Sequence, residues 1–202
     1  MSDNQTSYLS AQLYNRAQVL ANPCPVEACS GVYGWWFDKL PADDIDTSGC
    51  VKRDGLTLLY AGISPSKPPT NGRAPSKQNI RTRIRYHYRG NAYGSTLRLT
   101  LGALLSDDLG LQLRVVGSGR LYFHEGERAI SDWMGEHAFV SWLAHTRPWQ
   151  LEDDLIASYD LPLNLMGNAR NSYHARLTQA RSDARTTARE LPALKSPGRR
   201  VT

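Results

Sequence analysis

Apolar residues along the chain recur at two periods, and the change from one to the other marks the elements. GVYGWWF, residues 31–37, is a dense apolar run that reads as a buried strand. Strand alternation places Tyr33 and Trp35 on one face and Val32 and Trp36 on the other. LTLLYAG, 56–62, reads as a second strand ending in glycine, so the two predict an antiparallel pair with an enlarged polar connection, LPADDIDTSGCVKRDG. Before them, Leu9, Leu13, Ala17 and Leu20 form one helical stripe, predicting a helix over 7–21 that Pro23 and Pro25 end. ISPSKPPTNGRAPSK reads as an exposed loop. From Ser76 the pattern is helical, with Ile80, Ile84 and Tyr88 on one face, and STLRLTLGALL predicts a second helix with Ser95 as its N-cap. LQLRVVGSGRLYF reads as an inserted hairpin around a Gly-Ser-Gly turn, ERAISDWMGEH as a helix and AFVSWLAH as a strand. Pro148 opens a helix running to about Tyr159, and a last helix covers about 174–190 before ALKSPGRRVT frays. Early paired strands with helices around them predict an α+β domain built on a small mixed sheet.

Composition narrows the class. With 202 residues, 41% hydrophobic and 21% charged, the chain is able to bury a core. No apolar run is long enough for a bilayer, and the polar start lacks the layout of a signal peptide, so a soluble, cytoplasmic protein without membrane contact is expected. Cys24, Cys29 and Cys50 are odd in number and offer no second pair for zinc, so they read as reduced, partly buried thiols. The net charge is +5, but residues 170–202 alone carry +6 and the rest sums to −1. Within that rest, Arg73, Lys77, Arg81, Arg83, Arg85 and Arg89 stand together without an acid. Two concentrated basic regions on a near-neutral body point to a polyanion, with a solvated helix face as the ordinary alternative for either one alone.

Six polar residues sit where predicted elements end or expose a face. Tyr33 lies on the first strand and Tyr60 near the end of the second; Arg83 and His87 share one helical face; Glu152 is in the first turns of a helix; Asn164 follows Pro162 beyond it. Singly, each has a plain explanation: a core tyrosine, a solvated arginine, helix-dipole support, a C-cap. Together they carry a resemblance. GVY at 31–33 and YAG at 60–62 resemble the two signature tripeptides of the GIY-YIG nucleases. RIRYH at 83–87 resembles that family's helix motif, and LEDDLIASYDLPLN at 151–164 resembles its last motif, with a spacing similar to the nuclease domain of the bacterial excision-repair endonuclease.

The resemblance implies a three-stranded antiparallel sheet flanked by helices, here with loop and hairpin insertions, and cleavage of DNA phosphodiester bonds with one divalent metal, Mg²⁺ or Mn²⁺. It implies a nuclease domain over 27–169, between an N-terminal helical extension (1–26) and a basic helical tail (170–202). Carried onto this chain, Glu152 is the metal ligand, Arg83 contacts the scissile phosphate, and Tyr33 with Tyr60 acts as base or orients the water. His87 takes the second helix position, and Asn164 supports the site by hydrogen bonds. Arg73, Lys77, Arg81, Arg85 and Arg89 are the expected nucleic-acid contacts. The residue types suit the chemistry: attack adds negative charge to phosphate oxygens, which a cation and a guanidinium fork stabilise. A phenol is a poor base unless a cation lowers its pKa, which predicts activity rising into mildly alkaline pH. Two departures stand out: Ala61 replaces a bulkier aliphatic residue, and Ile63 stands where the repair enzymes carry a lysine, so another cation is expected to serve. The alternatives are a binding module of the same fold without cleavage, and an interaction protein acting through its basic tail.

Overall fold

The computed structural model describes residues 3–117 and 119–195. Ser118 of the expected hairpin turn, and 196–202 with Arg199 and Arg200, lie outside the described residues. In chain order the elements are α1 (Asp3–Ser10), α2 (Arg16–Leu20), β1 (Gly31–Phe37), β2 (Lys52–Arg53), β3 (Leu56–Ser64), α3 (Ile80–Arg89) and α4 (Thr96–Leu104). They continue with β4 (Arg114–Val116), β5 (Arg120–Tyr122), α5 (Gly126–His137), β6 (Ala138–Ala144), α6 (Pro148–Ser158) and α7 (His174–Glu190). The α+β class holds, and β4 and β5 pair as the expected hairpin.

The main sheet is antiparallel, ordered β2-β3-β1-β6, so it has four strands rather than three. The added strand arises inside the polar connection. Asp54 and Gly55 both adopt positive φ (54° and 77°) between paired Arg53 and Leu56, the two-residue turn that an Asp-Gly dipeptide favours. The helix expected over 7–21 is instead two short ones. Between them Tyr14 pairs with Val140, exchanging two 2.9 Å backbone bonds, and so covers the outer edge of β6. Asn15 then restarts the helix with a reciprocal capping box to Gln18. α3 begins at Ile80, not Ser76, because Asn79 caps it by accepting from the Thr82 amide.

β1 is the centre of the sheet and every residue in it is buried. Its two faces separate as alternation requires: Tyr33, Trp35 and Phe37 pack with Ile80, Ile84 and Tyr88 of α3, while Val32 and Trp36 pack with Leu151, Leu155 and Ile156 of α6. LTLLY cannot alternate strictly, and a bulge resolves it. Trp35 opposes Tyr60 but Trp36 opposes Leu58, leaving Leu59 unpaired. The extra residue lets Leu58 stay under Trp36 while Tyr60 turns to the α3 face, where Tyr33 is.

Candidate active site on the α3 face of the sheet

Gly62 opposes Tyr33 across β1 and β3. A Cβ at Gly62 would stand 2.7 Å from the Tyr33 hydroxyl and 2.8 Å from its Cζ, so the glycine opens the space that the phenol ring fills. Gly62→Ala is expected to destabilise the fold by about 1–3 kcal/mol, since Tyr33 is held at its far end and has no room to yield. A urea midpoint equal to that of the unaltered protein would disprove this.

What holds Tyr33 is a buried chain of polar groups. Its hydroxyl lies 2.9 Å from His87 Nε2, and His87 Nδ1 lies 2.7 Å from Ser95 Oγ. Ser95 also caps α4 by accepting from the Arg98 amide, as its position in the sequence suggests. Arg98, itself buried, donates to the His87 carbonyl and pairs with Glu127 at 2.7 Å, which pins the helix carrying the histidine. Burial, with Arg83 and Arg98 nearby, holds His87 well below the usual imidazole pKa, so the ring is neutral.

Arg83, one turn before His87, is half-buried, lies within electrostatic reach of the Tyr33 hydroxyl and donates to the Gly94 carbonyl at 2.6 Å. Burial works against its charge, but the phenols of Tyr33, Tyr60 and Tyr86 more than offset that. Burial raises the Tyr33 phenol above its ordinary value; Tyr60 and Glu152 add to this, and Arg83 offsets only part. The lowering expected from a neighbouring cation is therefore outweighed. Tyr60 is likewise raised by burial, with Thr96, Arg83 and Arg181 pulling the other way.

Glu152 projects from α6, which packs on β3 and β1 through Leu151, Leu155 and Ile156. Its carboxylate is half-buried, and among the described residues no cation or hydrogen-bond donor pairs with it. Burial first, then Asp153, push it up to about 7. Tyr8 of α1 stands with its buried hydroxyl over Gly34, and it is raised by burial and then by Glu152, Tyr33 and Tyr60. Asn164 reads the backbone of β3 like an added strand: its side chain accepts from the Ala61 amide at 2.9 Å and donates to the Ala61 carbonyl at 2.8 Å. It thereby fixes the middle residue of YAG.

The structure thus gathers Tyr33, Tyr60, Arg83 and His87, with Glu152 within electrostatic reach and Asn164 bracing β3. The model of the GIY-YIG catalytic domain matches residues 31–183. The chain belongs to the GIY-YIG family. No curated protein and no solved structure matches it. Membership suggests nuclease activity in general.

The five cations expected on nucleic acid divide in the GIY-YIG structure. Arg73, Lys77 and Arg89 are exposed, whereas Arg81 donates to the Val26 carbonyl at 2.6 Å and Arg85 to the Val19 carbonyl at 3.2 Å, tying α3 to the N-terminal segment. A cleft of about 840 Å³ lined by Tyr86, Arg89, Arg120 and Tyr122 contains none of the six candidate residues. Ser95, Tyr8 and Arg181 are the neighbours of the site that sequence reading did not single out for it. Ser95 was legible only as a cap, and the other two lie outside the motifs. No helix among the described residues is long and apolar enough to cross a membrane, and Cys24, Cys29 and Cys50 are free thiols, half-buried.

Proposed function

We propose that the protein is a divalent-metal-dependent endonuclease that hydrolyses DNA phosphodiester bonds at this site. The observation that carries the reading is the buried Tyr33–His87–Ser95 chain placed beside Arg83 and an unpaired, half-buried Glu152.

No cluster of three or more acidic, histidine or cysteine side chains exists among the described residues to enclose a metal. A single carboxylate that desolvation holds near pH 7 still fits a hard divalent ion, because such an ion keeps most of its waters and relieves the buried charge. Glu152 would hold it. Bound there, Mg²⁺ or Mn²⁺ supplies Lewis-acid stabilisation of charge on the phosphate oxygens.

The chain's own groups do the rest. Arg83 keeps a fixed positive charge and, with one guanidinium nitrogen anchored on Gly94, offers the remaining donors to the non-bridging oxygens. Tyr33 orients the attacking water. In the tautomer with Nδ1–H on Ser95, His87 Nε2 accepts a hydrogen bond from the Tyr33 hydroxyl, so the Tyr33 oxygen is able to accept one from water. As the water oxygen bonds to phosphorus, its proton passes to bulk solvent, while neutral His87 keeps the Tyr33 hydroxyl aligned on the water. The bond to the leaving oxygen breaks with its electron pair, and solvent protonates that oxygen. The exposed Arg73, Lys77 and Arg89 serve phosphates further along the strand.

The test is cleavage of supercoiled, linear, single-stranded and branched DNA by the purified protein with Mg²⁺, with Mn²⁺ and with EDTA. Products that need the metal and disappear with EDTA are expected. DNA bound but never cut, with either metal, would replace this reading by a binding module.

A further inference from the structure

Along α7, Leu177, Arg181, Ala184 and Ala188 fall on one side, and Leu177 and Ala188 are fully buried in the main core. Arg181 stands in that row where an apolar residue would be expected. Its side chain is half-buried and its Nε is shielded from solvent without a hydrogen-bond partner. No acid among the described residues pairs with it. One turn on, Arg185 is half-buried too. Burial and then Arg185 oppose the Arg181 charge, and among the described residues Tyr60, beside Tyr33, favours it.

A half-buried guanidinium whose Nε is desolvated and unpaired is costly, and a like charge beside it adds to the cost. A core that merely needed filling would be served better by leucine or methionine at this place. The arrangement makes physical sense if an anion enters beside Tyr60 and completes it. Nothing else in the row has that requirement.

We propose that Arg181, backed by Arg185, is a second phosphate-binding position of the active centre, taking a backbone phosphate of the DNA strand next to the one met by Arg83. This rests on the nuclease reading above. An arginine fork suits phosphate, and the nearby fixed charge of Arg185 strengthens the attraction for an anion while destabilising the empty site. α7 then contributes to substrate binding from the far end of the chain.

The test compares Arg181→Met and Arg181→Lys in the full-length protein, on a Glu152→Gln background that keeps the substrate intact. Affinity for a labelled duplex oligonucleotide is followed by fluorescence anisotropy across salt, and thermal midpoints are taken without DNA. Arg181→Met is expected to weaken binding by roughly ten- to a hundredfold and to reduce the salt slope by about 1. Its midpoint stays level or rises, and Arg181→Lys retains part of the affinity. Unchanged affinity and slope in Arg181→Met, with a parent that binds DNA, would overturn this inference and leave the nuclease reading intact. A midpoint that falls together with affinity, and that Arg181→Lys does not restore, would mark a packing role and overturn it as well. A parent that neither binds DNA nor, with Glu152 restored, cuts it would remove the nuclease reading, and this one with it.

Discussion

Glu152→Gln is expected to lower DNA cleavage by about a thousandfold or more while making the metal-free protein more stable. The two effects have one cause. Burial, then Asp153, raise this carboxyl from 4.5 to about 7, so the folded state holds its proton more tightly than the unfolded chain does. As pH rises from 4.5 to about 7 the unfolded chain has already released the proton and the fold has not, so stability falls with pH. Above about 7 the fold carries a desolvated charge, and the cost is fully present. Glutamine keeps the shape and carries no charge. Its thermal midpoint should therefore exceed that of the unaltered protein by a few degrees at pH 8 and match it near pH 4. Added Mg²⁺ should raise the midpoint of the unaltered protein alone and narrow the gap. A midpoint difference that is the same at both pH values would show that Glu152 is not a strained carboxylate, and metal-dependent cleavage by the variant would remove it from the metal site.

Tyr33→Phe is expected to reduce cleavage by roughly a hundred- to ten-thousandfold with little change in DNA affinity. The ring still fills the space over Gly62, so the sheet is kept. On the proposed mechanism the loss is the hydroxyl that orients the water, and leaving the buried Nε2 without its partner costs about 1–3 kcal/mol of stability. The pH profile separates this role from that of a free phenolate. Sequence reasoning assigns an alkaline rise to ionisation of Tyr33, but burial holds that phenol above its ordinary value. Glu152, raised to about 7 by burial, changes charge near neutrality. A cation competes there with a proton, so activity should climb from pH 6 to 8, with the climb moving to lower pH as Mg²⁺ is raised. The residual activity of Tyr33→Phe should keep that climb. Its disappearance in the variant would return the titration to Tyr33.

The grouping of Tyr33, Arg83 and His87 was legible in the sequence where it depends on residues at short spacing. Arg83 and His87 meet on one helical face since i and i+4 always do, and Tyr33 shares a face with Trp35 since strands alternate. Asn164 was legible as a support, though not the means, a paired set of bonds to Ala61 across 103 positions. β2 went unread although its Asp-Gly turn is a local signal, because a two-residue strand leaves no hydrophobic period.

By itself the sequence determined the order of nearly all the elements, the α+β class and the family to which the motifs belong, since these follow from local periodicity and residue identity. Only the tertiary structure decided what depends on non-local packing. It split the N-terminal stripe so that Tyr14 could cover an open sheet edge. It used the bulge at Leu59 to bring Tyr60 to the face of Tyr33, and turned Arg81 and Arg85 toward carbonyls of the N-terminal segment. It also set the charge states, raising Glu152 and Tyr33 and lowering His87, because desolvation is a property of the surrounding fold and no residue carries it alone.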